Sequence, residues 1–287
     1  MWFTESYSNK IGRITTSGTI IHYSVPTGNS NLTHITSGPD GALWFTEQQQ
    51  GRIGRITTSG NITEYPLASG SRPNDIVEGP DGALWYTDAY QSTIGRITVG
   101  GITPYDTGSF TSNVDIVAGL DGNLWFTSTS PARQITRMTL SGELTPYPIE
   151  PRVNARFHPL GELTVGSDGA IWFTDASYSS IGRITTAGLV TRFTILGYSP
   201  YGIHAGPDGA IWFGLSGVSA QLGRITPSGT SSLYGTTGIG GIAIFTFGSD
   251  LAIWFISGDK IGRYVPGSPL AGVTALKRQV LTRNVPK

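Results

Sequence analysis

Gly38-Pro39-Asp40-Gly41-Ala42-Leu43-Trp44-Phe45-Thr46-Glu47 is the stretch that decides the fold, because the chain keeps rewriting it. An Asp-Gly turn followed by apolar, aromatic and β-branched residues reads as a hairpin entering a strand. Its Trp recurs at Trp2, Trp44, Trp85, Trp125, Trp172, Trp212 and Trp254, which are all seven tryptophans, spaced 42, 41, 40, 47, 40 and 42 residues apart. A period near forty, carried by a strand and a turn, signals a radial or solenoid array.

Working outward from Trp85, each repeat carries four strand signals. Asn74–Glu78 is a first strand and Gly79-Pro80-Asp81-Gly82 a turn. Ala83–Asp88 is a second strand, Ile94–Thr98 a third, and Ile102–Tyr105 a fourth after a Gly-Gly turn. Four antiparallel strands repeated seven times predict an all-β, seven-bladed β-propeller forming a single domain over residues 1–287. The first repeat begins at its own Trp and lacks an inner strand. An open blade exposes unpaired edges, so residues 268–287 are expected to supply the outer strand of the last blade and the missing inner strand of the first.

Composition agrees and narrows the function. Of 287 residues 40 are Gly, only 13% are charged, and the net charge is zero. With no basic stripe, nucleic acid is not an expected partner. With no long apolar run, a membrane is not one either, and a soluble monomer is expected. There is no Cys, which excludes disulfides, thiolate nucleophiles and thiolate zinc sites. No signal peptide is visible. An export signal upstream of Met1 would make the protein secreted, and its absence would leave it cytoplasmic.

The repeats serve as an alignment of the chain with itself. Ile-Gly-Arg recurs in the third strand, with Arg13, Arg55, Arg96, Arg137, Arg183, Arg224 and Arg263. One molecule does not need seven identical sites, so these Arg are expected to pack between blades with guanidinium groups over aromatic faces. Departures from the repeat are more informative. The exit of the Trp125 repeat is lengthened by residues 148–159, which carry Arg152, Arg156 and His158. An extended loop on a rigid scaffold is where ligand contacts tend to sit.

The tandem text Gly-Pro-Asp-Gly-Ala-Leu-Trp-Phe-Thr-Glu, then Ile-Gly-Arg-Ile-Thr-Thr-Ser-Gly, then Ile-Thr-Glu-Tyr-Pro-Leu resembles the virginiamycin B lyase (streptogramin B lyase) family over roughly residues 1 to 264. That resemblance implies a seven-bladed propeller and a magnesium-dependent elimination that opens a cyclic depsipeptide antibiotic at its ester. It also implies a His as general base, a second His nearby and two Glu holding the metal. The family's histidines occupy inner-strand entrances in a Pro-His-(Ala/Gly)-Ile context in the last third of the chain. The matching entrances here read Pro200-Tyr201-Gly202-Ile203 and Ile239-Gly240-Gly241-Ile242, and neither Tyr201 nor Gly240 can abstract a proton as His would. The last blade's hairpin, Ile256-Ser257-Gly258, offers no carboxylate where the family places one.

Polar chemistry concentrates elsewhere. The residue just before the inner-strand aliphatic is His34, Asp75, Asp115 and Glu162 in four successive repeats, then Gly202 and Gly241. At one level of a central channel these would form an oxygen-rich site for Mg²⁺ or Ca²⁺. The arrangement is similar in kind to calcium-dependent gluconolactonase propellers. A second acidic set, Glu5, Glu47, Asp88 and Asp175, ends its strands at the same face and would deepen a negative rim there, but because it recurs with the repeat a structural role is the expected one. Candidate catalytic residues are His34, His158 and His204. Candidate contacts for a small-molecule ligand at the channel mouth are Arg152, Arg156, His158 and Tyr201, while His22 is expected at the surface. The residues therefore predict a divergent relative that binds a small molecule or cation. An active streptogramin B lyase and a metal-dependent lactonase-like hydrolase stand as alternatives.

Overall fold

The computed structural model describes residues 1–98, 100–108, 115–129, 132–149, 160–195, 199–216, 221–235, 244–257 and 260–266. Over these the chain is a seven-bladed, all-β propeller whose blades are antiparallel sheets in chain order. It divides into two compact units after Ile149. The first unit holds four sheets. They are β1 (Trp2–Glu5), β2 (Lys10–Ile14) and β3 (Ile20–Ser24); β4 (Leu32–Ser37), β5 (Leu43–Glu47), β6 (Arg52–Ile56) and β7 (Ile62–Pro66); β8 (Pro73–Glu78), β9 (Leu84–Asp88), β10 (Thr93–Thr98) and β11 (Gly101–Asp106); and β12 (Ile116–Ala118), β13 (Leu124–Ser128), β14 (Gln134–Met138) and β15 (Leu144–Pro148). The second unit holds β16 (Leu163–Val165), β17 (Ile171–Asp175), β18 (Ser180–Ile184) and β19 (Val190–Thr194); β20 (Ser199–Ala205), β21 (Ile211–Ser216), β22 (Gln221–Ile225) and β23 (Ser231–Gly235); and β24 (Ile244–Phe247), β25 (Ile253–Ser257) and β26 (Lys260–Tyr264).

The first and last sheets have three strands each among the described residues. The expected closing segment, 268–287, lies outside the described residues. Among the described residues no helix is long and apolar enough to cross a membrane.

The repeated turn does more than reverse the chain. In the Trp85 blade, Asp81 Oδ1 accepts the Trp85 indole N–H at 3.0 Å and the Ala83 amide at 3.2 Å. Its Oδ2 accepts Arg96 Nε at 2.7 Å, and that guanidinium lies 5.7 Å from the Trp85 ring centroid. Tyr105 of the outer strand lies against the same indole at a tilt of 35°, centroids 5.2 Å apart. One carboxylate thus ties turn, second strand and third strand together. Asp40, Asp168, Asp208 and Asp250 repeat the arrangement with Arg55, Arg183, Arg224 and Arg263. Burial works to raise these five Asp pKa values, but hydrogen bonds from Trp and Arg outweigh it and hold them below the ordinary value. The guanidinium thus lies over an aromatic face, as expected, and that face is the Trp of its own blade.

The Gly of Ile-Gly-Arg answers a close approach. A Cβ on Gly54 would fall 2.1 Å from Phe45 Cε2 and Cζ, because the ring lies flat against that backbone. Phe45 is fully buried, so the ring has nowhere to retreat. The Trp125 blade departs from the rule. Thr136 stands in the Gly position opposite Phe126, and Arg137 Nε is buried without a hydrogen-bond partner. Asp121 there accepts Asn123 Nδ2 at 3.0 Å instead.

Candidate functional site

Two register shifts shape the inner-strand entrances of the first unit. Pairing slips between Leu32 and Ile35 against β5, and between Pro73 and Ile76 against β9. Thr33-His34 and Asn74-Asp75 are the displaced pairs, and a bulge of this kind re-aims side chains out of the ladder. The Thr of the second strand stabilises each entrance. His34 N–H donates to Thr46 Oγ1 at 3.0 Å, Asp75 N–H to Thr87 Oγ1 at 3.0 Å, and Asp115 N–H to Thr127 Oγ1 at 3.2 Å.

This brings together three of the four residues expected to share a level. One ligand atom from each of His34, Asp75 and Asp115 lies within 4.8 Å of the others. His34 Nε2 is 3.9 Å from Asp75 Oδ1, while its Nδ1 lies 2.9 Å from the Asn74 carbonyl of the next blade. That carbonyl is an acceptor, so Nδ1 carries the proton and Nε2 presents its lone pair when the ring is neutral. Asp75 Oδ1 accepts the Ile76 amide at 2.7 Å, and Oδ2 the Ile116 amide of the following blade at 2.9 Å. Asp75 and Asp115 are buried, whereas about two-fifths of the His34 side chain is exposed (39%). The polar register therefore also staples consecutive blades, a role the sequence did not suggest.

The fourth residue, Glu162, belongs to the second unit. Its Oε2 accepts the Ile203 amide at 3.3 Å, the same inter-blade staple that Asp75 makes. Tyr201 is exposed on β20 beside another register shift, where Gly202 takes a φ of +51°. His204 packs edge-on against Phe245 with centroids 5.0 Å apart. Burial pushes its pKa down to about 4, against an opposing hydrogen bond to the Phe245 backbone, so the ring is neutral at pH 7. Arg152, Arg156 and His158 lie outside the described residues, as do Gly240, Gly241 and Gly258.

The second acidic set is not a rim. Glu47, Asp88 and Asp175 are withdrawn from solvent. Asp88 accepts the amides of Arg72, Tyr90 and Gln91 at 3.1 to 3.2 Å and so pins the connection arriving from the preceding blade and the turn into β10. Glu5 accepts Ser8 Oγ at 2.7 Å and lies 2.6 Å from His22 Nδ1. His22 is consequently half-buried and paired, where a surface position was expected.

The two carboxylates suit a hard divalent cation, while the His34 imidazole suits a hydrogen bond to the ion's water or a softer ion. Ligands at 2.3–2.6 Å from Ca²⁺ can stand up to about 5 Å apart across the ion, and those of Mg²⁺ up to about 4 Å. Carboxylate oxygens that already accept one amide retain a second lone pair.

The sequence signature of the virginiamycin B lyase family matches residues 1–162 and 160–271. A catalytically inactive His-to-Ala virginiamycin B lyase from Staphylococcus aureus, crystallised with quinupristin, is 35% identical, with 91% of this chain and 89% of that one covered at a TM-score of 0.81. A streptogramin B lyase structure is 34% identical, with 91% and 88% covered at 0.80. A structure assigned as a gluconolactonase is 16% identical, with 82% and 85% covered at 0.57, and shares the fold alone. No curated protein matches the chain.

Proposed function

This chain belongs to the virginiamycin B lyase family, and we propose that within it the chain is a divergent member that binds a divalent cation and a small molecule rather than performing the ester-opening elimination. The observation that carries the reading is the convergence of His34, Asp75 and Asp115 within 4.8 Å. Supporting it, the entrance that resembles the family's histidine context presents the exposed Tyr201. A phenol is a far poorer general base than an imidazole. His34 Nε2 and one oxygen each from Asp75 and Asp115 would hold the ion, with water completing its shell. Bound there, the ion would supply a positive point to orient a carbonyl or carboxylate of the ligand.

Two measurements test this. Millimolar Ca²⁺ or Mg²⁺ should raise the melting temperature of the wild type by mass action and leave that of Asp75→Asn/Asp115→Asn unchanged. Incubation with a streptogramin B and Mg²⁺, followed by mass spectrometry, should leave the ring intact. A linear product that EDTA abolishes would establish the lyase reading instead.

A further inference from the structure

Glu47 ends β5 with its side chain wholly withdrawn from water. Its Oε2 lies 2.7 Å from Ser30 Oγ, and Ser30 Oγ lies 2.7 Å from the Thr27 carbonyl oxygen. A hydroxyl has one proton to give. If Ser30 gives it to a carboxylate, the hydroxyl and the Thr27 carbonyl face each other as two acceptors. If Ser30 gives it to the carbonyl, a buried carboxylate is left with no donor at all, because Oε1 is buried without a hydrogen-bond partner. Both contacts become hydrogen bonds only when Glu47 carries a proton: Oε2–H donates to Ser30 Oγ, which donates to Thr27. The unpartnered Oε1 is then a neutral carbonyl, far cheaper to bury than half a charge.

We propose that Glu47 is a buried proton-binding site, a neutral acid whose proton completes the hydrogen-bond chain holding the connection between the first two blades. That connection is constrained. Asn29 and Asn31 flank Ser30 with φ of +57° and +50°, a region non-glycine residues occupy at a cost and only where the surroundings impose it. Asn9 Oδ1 accepts the Ser30 amide at 2.9 Å, and the Gln49 amide donates to the Ser30 carbonyl at 2.9 Å.

The charges around Glu47 favour the neutral form on balance. Arg52, its cross-strand partner on β6, would stabilise the anion, but Arg52 Nη1 also stands 3.9 Å from Glu64 Oε2 on β7. Glu64 is ionic competition, and its oxygens accept the Thr27 amide and hydroxyl at 2.8 and 2.6 Å. His34 on β4 turns toward Asn74 and Asp75. The equivalent acids of the adjacent sheets, Glu5 and Asp88, are engaged with His22, Ser8 and backbone amides. Burial raises the Glu47 pKa to about 7 despite the Ser30 contact, with Glu64 adding to the rise and Arg52 opposing it.

The folded-state value lies above the ordinary 4.5, so the proton stabilises the fold at low pH and that contribution is lost as pH rises from 4.5 through about 7. Glu47→Gln keeps the shape, and its amide N–H can donate to Ser30 at every pH. Urea titrations of wild type and E47Q at about pH 5 and about pH 8 read the difference. From pH 5 to pH 8 the variant should gain on the wild type by roughly ten- to a few hundredfold in the unfolding equilibrium constant. A gap that is the same at both pH values overturns the proposal. Carbon NMR of the wild type labelled at Glu carboxyls needs no variant. One resonance should titrate near neutrality, and the absence of any Glu carboxyl titrating above about pH 6 overturns it equally.

Discussion

Replacing Asp81 by Ala removes the carboxylate that joins three parts of one blade, and the cost can be worked from its contacts. The Trp85 indole is fully buried, so its N–H loses its acceptor with no water to replace it. An orphaned buried donor costs about 1–3 kcal/mol. The ion pair with Arg96 is partly exposed on both sides, 29% and 18%, and screening limits it to about 0.2–1 kcal/mol. The sum is about 1–4 kcal/mol, or roughly 2–7 °C in melting temperature for a chain of this size. Asp81→Asn retains an acceptor for the indole and should lose about half as much. The Asn penalty should also shrink as pH falls below the ordinary Asp value of 3.8, since the depressed Asp81 pKa gives stability that is present above that value and lost as pH falls through the folded one. Denaturant unfolding of both variants checks this. Were D81A within 0.5 kcal/mol of wild type, roughly the scatter of silent surface changes, the blade would not depend on this carboxylate.

Other expectations follow from the same geometry. Gly54→Ala drives a methyl into the Phe45 ring and should cost about 1–3 kcal/mol, partly recovered in G54A/F45L, as thermal melts will show. Asp121→Ala should cost less than D81A, because Arg137 already lacks the carboxylate bond its counterparts make; paired denaturant titrations compare the two. Thr87→Val removes the acceptor of the Asp75 amide and should destabilise by about 1–3 kcal/mol while weakening any cation-induced rise in melting temperature.

The blade text was legible because it pairs a local rule with a period. Asp-Gly needs a turn, Trp and Ile need burial, and a spacing of forty puts both in every sheet. The shared level of His34, Asp75 and Asp115 was legible for the same reason, since equivalent positions recur at equivalent places. What escaped was the direction in which acids point. Along a half-buried strand, alternation tells inside from outside. Leu84 to Asp88 are all buried, so Asp88 carried no parity signal to tell a pinned carboxylate from one on a rim. The Asp of the turn read as turn chemistry, because its bonds to Trp and Arg span 4 and 15 residues and only the folded register brings those partners together. His34 and Asp75 acquired their inter-blade staples through bulges, which no residue pattern in the sequence announces.

The two groups with strongly displaced pKa values near neutrality pull stability in opposite directions, which governs how the pH profile must be read. Glu47, raised to about 7, withdraws stability as pH climbs from 4.5. His204, lowered to about 4 from 6.5, has the opposite sign: the unfolded chain binds a proton that the folded ring refuses, so stability rises with pH across that window. The windows nearly coincide and are similar in width, while the turn aspartates change protonation below 3.8 and do not intrude. The wild type should accordingly show a nearly level stability between about pH 5 and 6.5, not because nothing titrates but because two desolvated groups offset each other. Removing either one exposes its opponent. E47Q should gain stability with rising pH over that interval, and His204→Gln should lose it. The double variant should return to a level profile, since Glu47 and His204 lie in different units and share no partner. Denaturant titrations of the four proteins at half-unit steps decide the matter: parallel profiles in all four would refute the assignment of both groups.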